Sequence, residues 1–174
     1  MNATICAHHC DSSPSESISC DNVCVLFLDF DGVTHPEPCR ADQAFSQLPL
    51  IEAVLRQHPK VEVVISSSWR LVHSLDAMRA HFALDIAPRV IGITPSNNQP
   101  SSDWLPSASS SIEREGECDT WMKQNRPWGT PWVAIDDRAH WFRPGCSDLL
   151  LTNAKTGFTS EDGVALHAMF QERM

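Results

Sequence analysis

Residues 25–33 read Val-Leu-Phe-Leu-Asp-Phe-Asp-Gly-Val, an apolar run that ends in two carboxylates, Asp29 and Asp31, one residue apart. Like charges this close repel, and a chain tolerates them where a cation or a shared proton relieves the repulsion. The pair is therefore a candidate for metal binding or acid–base work. Two further apolar runs end in side chains that could join the same chemistry: Val61–Ile65 leads into Ser66-Ser67-Ser68-Trp69-Arg70, and residues 132–135 lead into Asp136-Asp137-Arg138. Taken singly, each end has a plainer reading, as an Asp-Gly turn, a serine N-cap or an aspartate turn. A calcium loop counted from Asp29 is excluded, because Thr34 stands where glycine is needed and Arg40 where glutamate is needed.

These side chains meet only if their strands lie side by side. Short apolar runs bounded by Gly and polar residues read as strands buried on both faces. Such strands are expected at about 23–29, 61–65, 89–94, 132–135 and 148–152. Helices are expected at about 44–57, 71–82 and 111–125, with a closing helix capped by Thr159-Ser160-Glu161-Asp162. A Pro-rich flap covers residues 34–38, and a long Pro/Ser/Asn-rich loop covers 95–110. Strands alternating with helices predict an α/β fold with a doubly wound parallel sheet, whose strand ends share the rim where such sheets bind ligands.

In this order of strand ends the chain resembles the haloacid dehalogenase-like (HAD) superfamily of phosphotransferases. Asp29 and Asp31 match its first motif, Ser66 its second and Asp136-Asp137 its fourth. F-L-D-F-D-G-V-x-H-P, I-S-S-S-W-R, W-V-A-I-D-D and the late L-T-N-x-x-x-G-F-T look like the small HAD domain of bacterial Swiss-army-knife RNA repair proteins, over roughly residues 22–173. The resemblance implies a Rossmann-like core with strand order 5-4-1-2-3 and an aspartyl-phosphate mechanism assisted by Mg²⁺. It implies that Asp29 is the nucleophile and a metal ligand, and that Asp31 is the acid and base whose backbone carbonyl also meets the metal. Asp136 would complete the metal's protein ligands, with Asp137 ligating or hydrogen-bonding beside it. Ser66 would hold a phosphoryl oxygen, with Ser67 and Ser68 as competitors for that role or for the helix cap. Arg70 either points toward the site or forms a surface pair. The superfamily also places a basic residue before strand four. Arg114, in the first turn of its helix and on the face shared with Cys118 and Trp121, fits better than Lys123, roughly 13 Å further along the axis.

The spacing between motifs leaves no room for a folded cap after the first or third strand, so an open site is expected. An open site suits a phosphate on a macromolecular end, with RNA or DNA 3′-phosphate termini as the leading substrate. A small-molecule or nucleotide phosphatase is the alternative, and a non-catalytic phosphate-binding module the second. The net charge of −9, from 13 basic and 22 acidic residues, argues against extended duplex binding. The acids Glu113, Glu115, Glu117 and Asp119 read as a solvated helix face.

The chain has 174 residues, 42% of them apolar, enough for one domain over 22–174 behind a flexible leader at 1–21. No secretory signal or membrane span is evident, so a cytoplasmic protein is expected. Cys6, Cys10, Cys20 and Cys24, with His8 and His9 between them, lack the spacing of a common zinc ribbon and read as ordinary thiols. Trp69, Trp121 and Trp132 are expected in or near the core. Trp104 either plugs the long loop or stacks on a base, and His35 in the flap reads as incidental or as a substrate contact. The sequence sets no oligomeric state.

Overall fold

The structure, a computed structural model, describes residues 23–96 and 112–174. The leader, the cysteine and histidine residues within it, the loop from residue 97 and Trp104 lie outside the described residues. Five strands, β1 (Cys24–Leu28), β2 (Val61–Ile65), β3 (Val90–Ile93), β4 (Trp132–Asp136) and β5 (Leu149–Leu151), form one sheet in the order β3-β2-β1-β4-β5. Every pairing is parallel. This is the order anticipated from the resemblance, read from the opposite edge.

All five residues of β1 are buried, as its unbroken apolar sequence requires of a central strand covered on both faces. Side chains alternate across the sheet. Leu26 and Leu28 face a core that contains Ile51 and Leu55 of α1 (Leu48–Gln57) and Leu166 and Phe170 of α4 (Ser160–Arg173). Val25 and Phe27 face the opposite core, against Cys118 and Trp121 of α3 (Glu113–Asn125). Phe27 sits edge-on between Trp121 and Trp132, at 5.9 and 5.6 Å between ring centroids.

Two expected helices are shorter than their apolar periodicity suggests. The first was expected from residue 44 and begins at Leu48, with Pro49 in its opening turn. Proline in a helix interior would forfeit a hydrogen bond and clash with the preceding turn, whereas at the start its missing N–H costs nothing. The second, expected over 71–82, is divided into a 3-10 turn at Ser68–Leu71 and a single short helix, α2 (Leu75–Arg79). Ser67 and Ser74 each cap their own turn, accepting from Trp69 N–H and Ala77 N–H. The closing helix carries the expected cap: Thr159 accepts from Asp162 N–H at 3.3 Å and donates its own N–H to the Asp162 carboxylate at 2.8 Å.

Where α1 meets α4, the buried His58 pairs with the half-buried His167. His58 Nε2 lies 2.9 Å from His167 Nδ1, and the His58 ring packs on Phe170. One nitrogen must donate and the other accept, so the contact needs at least one neutral ring. Burial, then the proximity of His167 and of Arg89, lowers the His58 pKa below its ordinary 6.5. The unfolded chain therefore takes up a proton near pH 6.5 that folded His58 resists, and stability is lost as pH falls below that value. Urea midpoints between about pH 7.5 and pH 5.5 should fall less steeply for His58→Gln than for the native chain. Identical slopes would contradict this assignment.

Among the described residues no helix is long and apolar enough to cross a membrane, and the segment between β1 and β2 builds no separate folded cap.

Candidate active site

Asp29 lies immediately beyond β1 and Asp136 is the last residue of β4, the neighbouring strand, so sheet register alone brings the two carboxylates together. Both are buried, and each is anchored by a following backbone N–H: Phe30 N–H donates to Asp29 Oδ1 and Arg138 N–H donates to Asp136 Oδ1, each at 2.8 Å. Carboxylate oxygens of Asp29, Asp136 and Asp137 lie within 4.8 Å of one another. Asp136 Oδ2 and Asp137 Oδ1 are buried and accept no hydrogen bond among the described residues. Burial, followed by the charge of Asp29, pushes the Asp136 carboxyl up to about 7 despite the opposing effect of Arg114. Asp137 is also raised, chiefly by burial. Asp136 Oδ2 and Asp137 Oδ1 each face an arginine at ion-pair distance, Arg114 Nη1 at 3.2 Å and Arg138 Nε at 3.5 Å, and three carboxylates this close together fit a small hard cation with oxygen ligands, such as Mg²⁺.

Asp31 is held differently. Its Oδ1 lies 3.1 Å from His35 Nε2, and its Oδ2 accepts from Trp69 Nε1–H at 3.0 Å. His35, which the sequence suggested was incidental or a substrate contact, is only 2% exposed and is a partner of Asp31.

Arg114 enters the site from the first turn of α3, its side chain buried. Its Nη1 lies 3.2 Å from Asp136 Oδ2 and 3.5 Å from Asp29 Oδ1, yet makes no hydrogen bond among the described residues. That nitrogen is therefore a cationic donor held at ion-pair distance between two carboxylates. Its guanidinium also stacks over Trp141, 4.6 Å from the ring centroid. Lys123 lines a separate cleft at the far end of α3, beside Trp128 and Trp132. Ser66 closes β2, buried, with its N–H bonded to Leu28 C=O. Ser67 caps the following turn.

Arg70 forms no surface pair: it lines one cleft with Ser68, Arg114 and Trp141 beside the carboxylate cluster, and the charge of Asp29 acts on it. Its Nη1 donates to the carbonyls of Ser66 and Ser67 at 2.7 and 2.8 Å, and its Nη2 donates to Glu117 Oε1 at 2.5 Å. Glu117 also faces Arg114, with Nε to Oε2 at 3.7 Å. A chain of buried charges thus ties the serine turn after β2 to Arg114 on α3. Glu115 is likewise buried, accepting from Arg143 N–H at 2.7 Å. Two of the four acids that read as a solvated face are therefore interior, because arginines on other elements reach them. Sequence periodicity missed Glu117, although its place three residues after Arg114 on the same helix was the available signal.

Close backbone approach explains two glycines. Gly32 adopts φ +71°, and a Cβ there would lie 2.6 Å from Asp137 Oδ2. Gly157 adopts φ +67°, with a would-be Cβ 3.0 Å from Val33 C=O, and Phe158 N–H donates to that same carbonyl at 2.8 Å. The late Leu-Thr-Asn…Gly-Phe-Thr segment thus buttresses the flap that follows Asp31. Gly32→Ala combines left-handed strain with a collision against a candidate metal ligand. It should lower thermal stability and largely remove the stabilisation expected from added Mg²⁺ in the native protein, as read by thermal melts with and without the ion. An unchanged Mg²⁺ shift would contradict this placement of Asp137.

A five-stranded parallel sheet of this order, with acidic ends on β1 and β4 and a serine ending β2, is the Rossmann-like core of the haloacid dehalogenase class, a superfamily of phosphatase-type hydrolases. More narrowly, residues 25–163 match the model of the HAD domain in Swiss Army Knife RNA repair proteins, and the chain belongs to that family. No curated protein and no solved structure matches the chain significantly.

Proposed function

We propose that the protein is a Mg²⁺-dependent phosphomonoester hydrolase that works through an aspartyl-phosphate on Asp29. The observation that carries this reading is the convergence of carboxylate oxygens of Asp29, Asp136 and Asp137 within 4.8 Å of one another, with Arg114 Nη1 facing those of Asp29 and Asp136 at 3.5 and 3.2 Å. Asp29, Asp136 and Asp137 would hold the metal, which when bound offsets the repulsion between an anionic nucleophile and an anionic phosphoryl group. Ser66 and Arg114 would bind the phosphoryl oxygens. An Asp29 carboxylate oxygen attacks phosphorus as the bond to the ester oxygen breaks, and Asp31 gives that oxygen its proton. Asp31, now ionised, takes a proton from water, whose oxygen attacks the phosphorus of the aspartyl-phosphate. Phosphate departs and Asp29 is regenerated.

The proposed substrate is the 3′-phosphate end of RNA or DNA. The lack of a folded cap between β1 and β2 supports it, since no cap stands there to shut out a large substrate. The family's description points the same way, and Trp141 beside Arg114 offers an aromatic surface near the rim. Catalytic efficiency should be higher on a 3′-phosphorylated oligonucleotide than on a 5′-phosphorylated one or on mononucleotides, and EDTA should remove activity on all of them. Mononucleotides or sugar phosphates outperforming both oligonucleotides at low salt would eliminate the polynucleotide-end substrate. Equal rates with Mg²⁺ and with EDTA would eliminate the metal.

A further inference from the structure

We infer that His35 and Trp69 form a two-point cradle that positions the Asp31 carboxylate for proton transfer, with the backbone of Phe45 fixing the histidine's tautomer. The inference rests on the reading of Asp31 as the acid and base. Trp69 Nε1–H can only donate, and it donates to Oδ2 at 3.0 Å. His35 Nε2 stands 3.1 Å from Oδ1, where either tautomer could in principle place a lone pair or a proton. The other face of the ring decides. Phe45 N–H, a donor that cannot reverse, points at His35 Nδ1 at 3.4 Å; the Thr34 hydroxyl, 3.0 Å from the same nitrogen, also lies 3.0 Å from Phe30 C=O and can adapt its one proton to either, so the Phe45 N–H sets the choice. Nδ1 is then the acceptor, and the proton sits on Nε2, facing Asp31.

Phe45 occupies left-handed backbone, φ 60°, a conformation that a bulky residue adopts only when its surroundings impose it. Its ring is stacked on His81 at 3.9 Å and sits edge-on to Phe30, His35 and Trp69 at 5.2, 5.4 and 5.4 Å. Aromatic packing thus sustains the strained residue whose N–H orients His35. Each Asp31 oxygen keeps a second lone pair, so the carboxylate is fixed in orientation while still able to reach a leaving oxygen or a water.

A group that acts only by aiming an acid matters most when the leaving group needs the proton. Trp69→Phe keeps the ring and removes the N–H. It should lower the ratio of kcat on an alkyl phosphate to kcat on an activated aryl phosphate by about tenfold, the value of a lost hydrogen bond to a charged group. His35→Leu should do the same, whereas His35→Gln, which can still donate to Oδ1, should keep the ratio close to native. On an Asp31→Asn background, Trp69→Phe should leave the ratio unmoved. A merely structural role would lower both rates together, and that outcome overturns the cradle, as does a ratio that falls equally on the Asp31→Asn background. If Asp31→Asn itself costs both esters equally, the acid–base reading falls and the cradle with it. If Asp31→Asn is selective and Trp69→Phe is not, the cradle alone falls.

Discussion

Asp29→Asn should abolish the proposed phosphate-ester hydrolysis, with a loss of about 10⁴-fold or more, because in the proposed mechanism it removes the nucleophile rather than an orienting group. The fold should survive. Asp29 is buried beside Asp136, and its charge is the second contribution, after burial, to the elevation of the Asp136 carboxyl. Replacing it with a neutral isostere removes repulsion, and Phe30 N–H can still donate to the amide oxygen. Thermal stability without metal should therefore equal or exceed that of the native chain, while the gain from added Mg²⁺ shrinks. An inactive variant that is also unfolded would leave the loss to be explained by structure, whereas a stable and active variant would refute Asp29 as nucleophile.

The largest loss of stability from a single isosteric change is expected at Glu117. Its side chain is 3% exposed, and it faces two buried arginines, Arg70 at 2.5 Å and Arg114 at 3.7 Å. Removing one member of a buried charge pair leaves the other desolvated and uncompensated, at a cost of about 3–5 kcal/mol. Glu117→Gln should lower the urea midpoint accordingly, and it should lower kcat as well, since Arg114 loses the carboxylate that braces its Nε. The double variant Arg70→Met with Glu117→Leu should recover much of the stability, because a packed apolar pair replaces the buried ions. By contrast Asp42→Asn, which breaks the Arg40–Asp42 pair with both side chains mostly exposed, should change stability immeasurably. Equal effects of Glu117→Gln and Asp42→Asn would refute the buried network.

The sheet and its acidic rim were legible in the sequence because a parallel strand covered on both faces writes its burial into consecutive apolar residues, and because the side chain after such a strand has one place to go. Strand order came from resemblance, since periodicity carries no pairing information. The helices were less legible. An apolar stripe at helical spacing continues through residues 44–48, but Phe45 in left-handed backbone and Pro49 in the first turn show that the stripe there belongs to a loop packed on the same core. Long-range partners were the least legible. Glu115 and Glu117 carry the same local signature as a solvated face, and only the tertiary arrival of Arg143 and Arg70 turns them inward. Likewise, His35 looks incidental until the flap folds back and its ring meets Asp31 four residues earlier.

The central claim, a phosphoryl group carried by Asp29, is tested most directly by rapidly mixing the protein with an activated aryl phosphate and Mg²⁺, quenching in acid and mapping covalent phosphate by peptide mass spectrometry. A phosphoryl adduct on the peptide bearing Asp29 is expected. It should be absent with EDTA and in Asp29→Asn, and more abundant in Asp31→Asn, where the departing aryl oxide needs little protonation but the attacking water lacks its base. Turnover with no adduct in either the native protein or Asp31→Asn, or an adduct on another residue, would contradict the account.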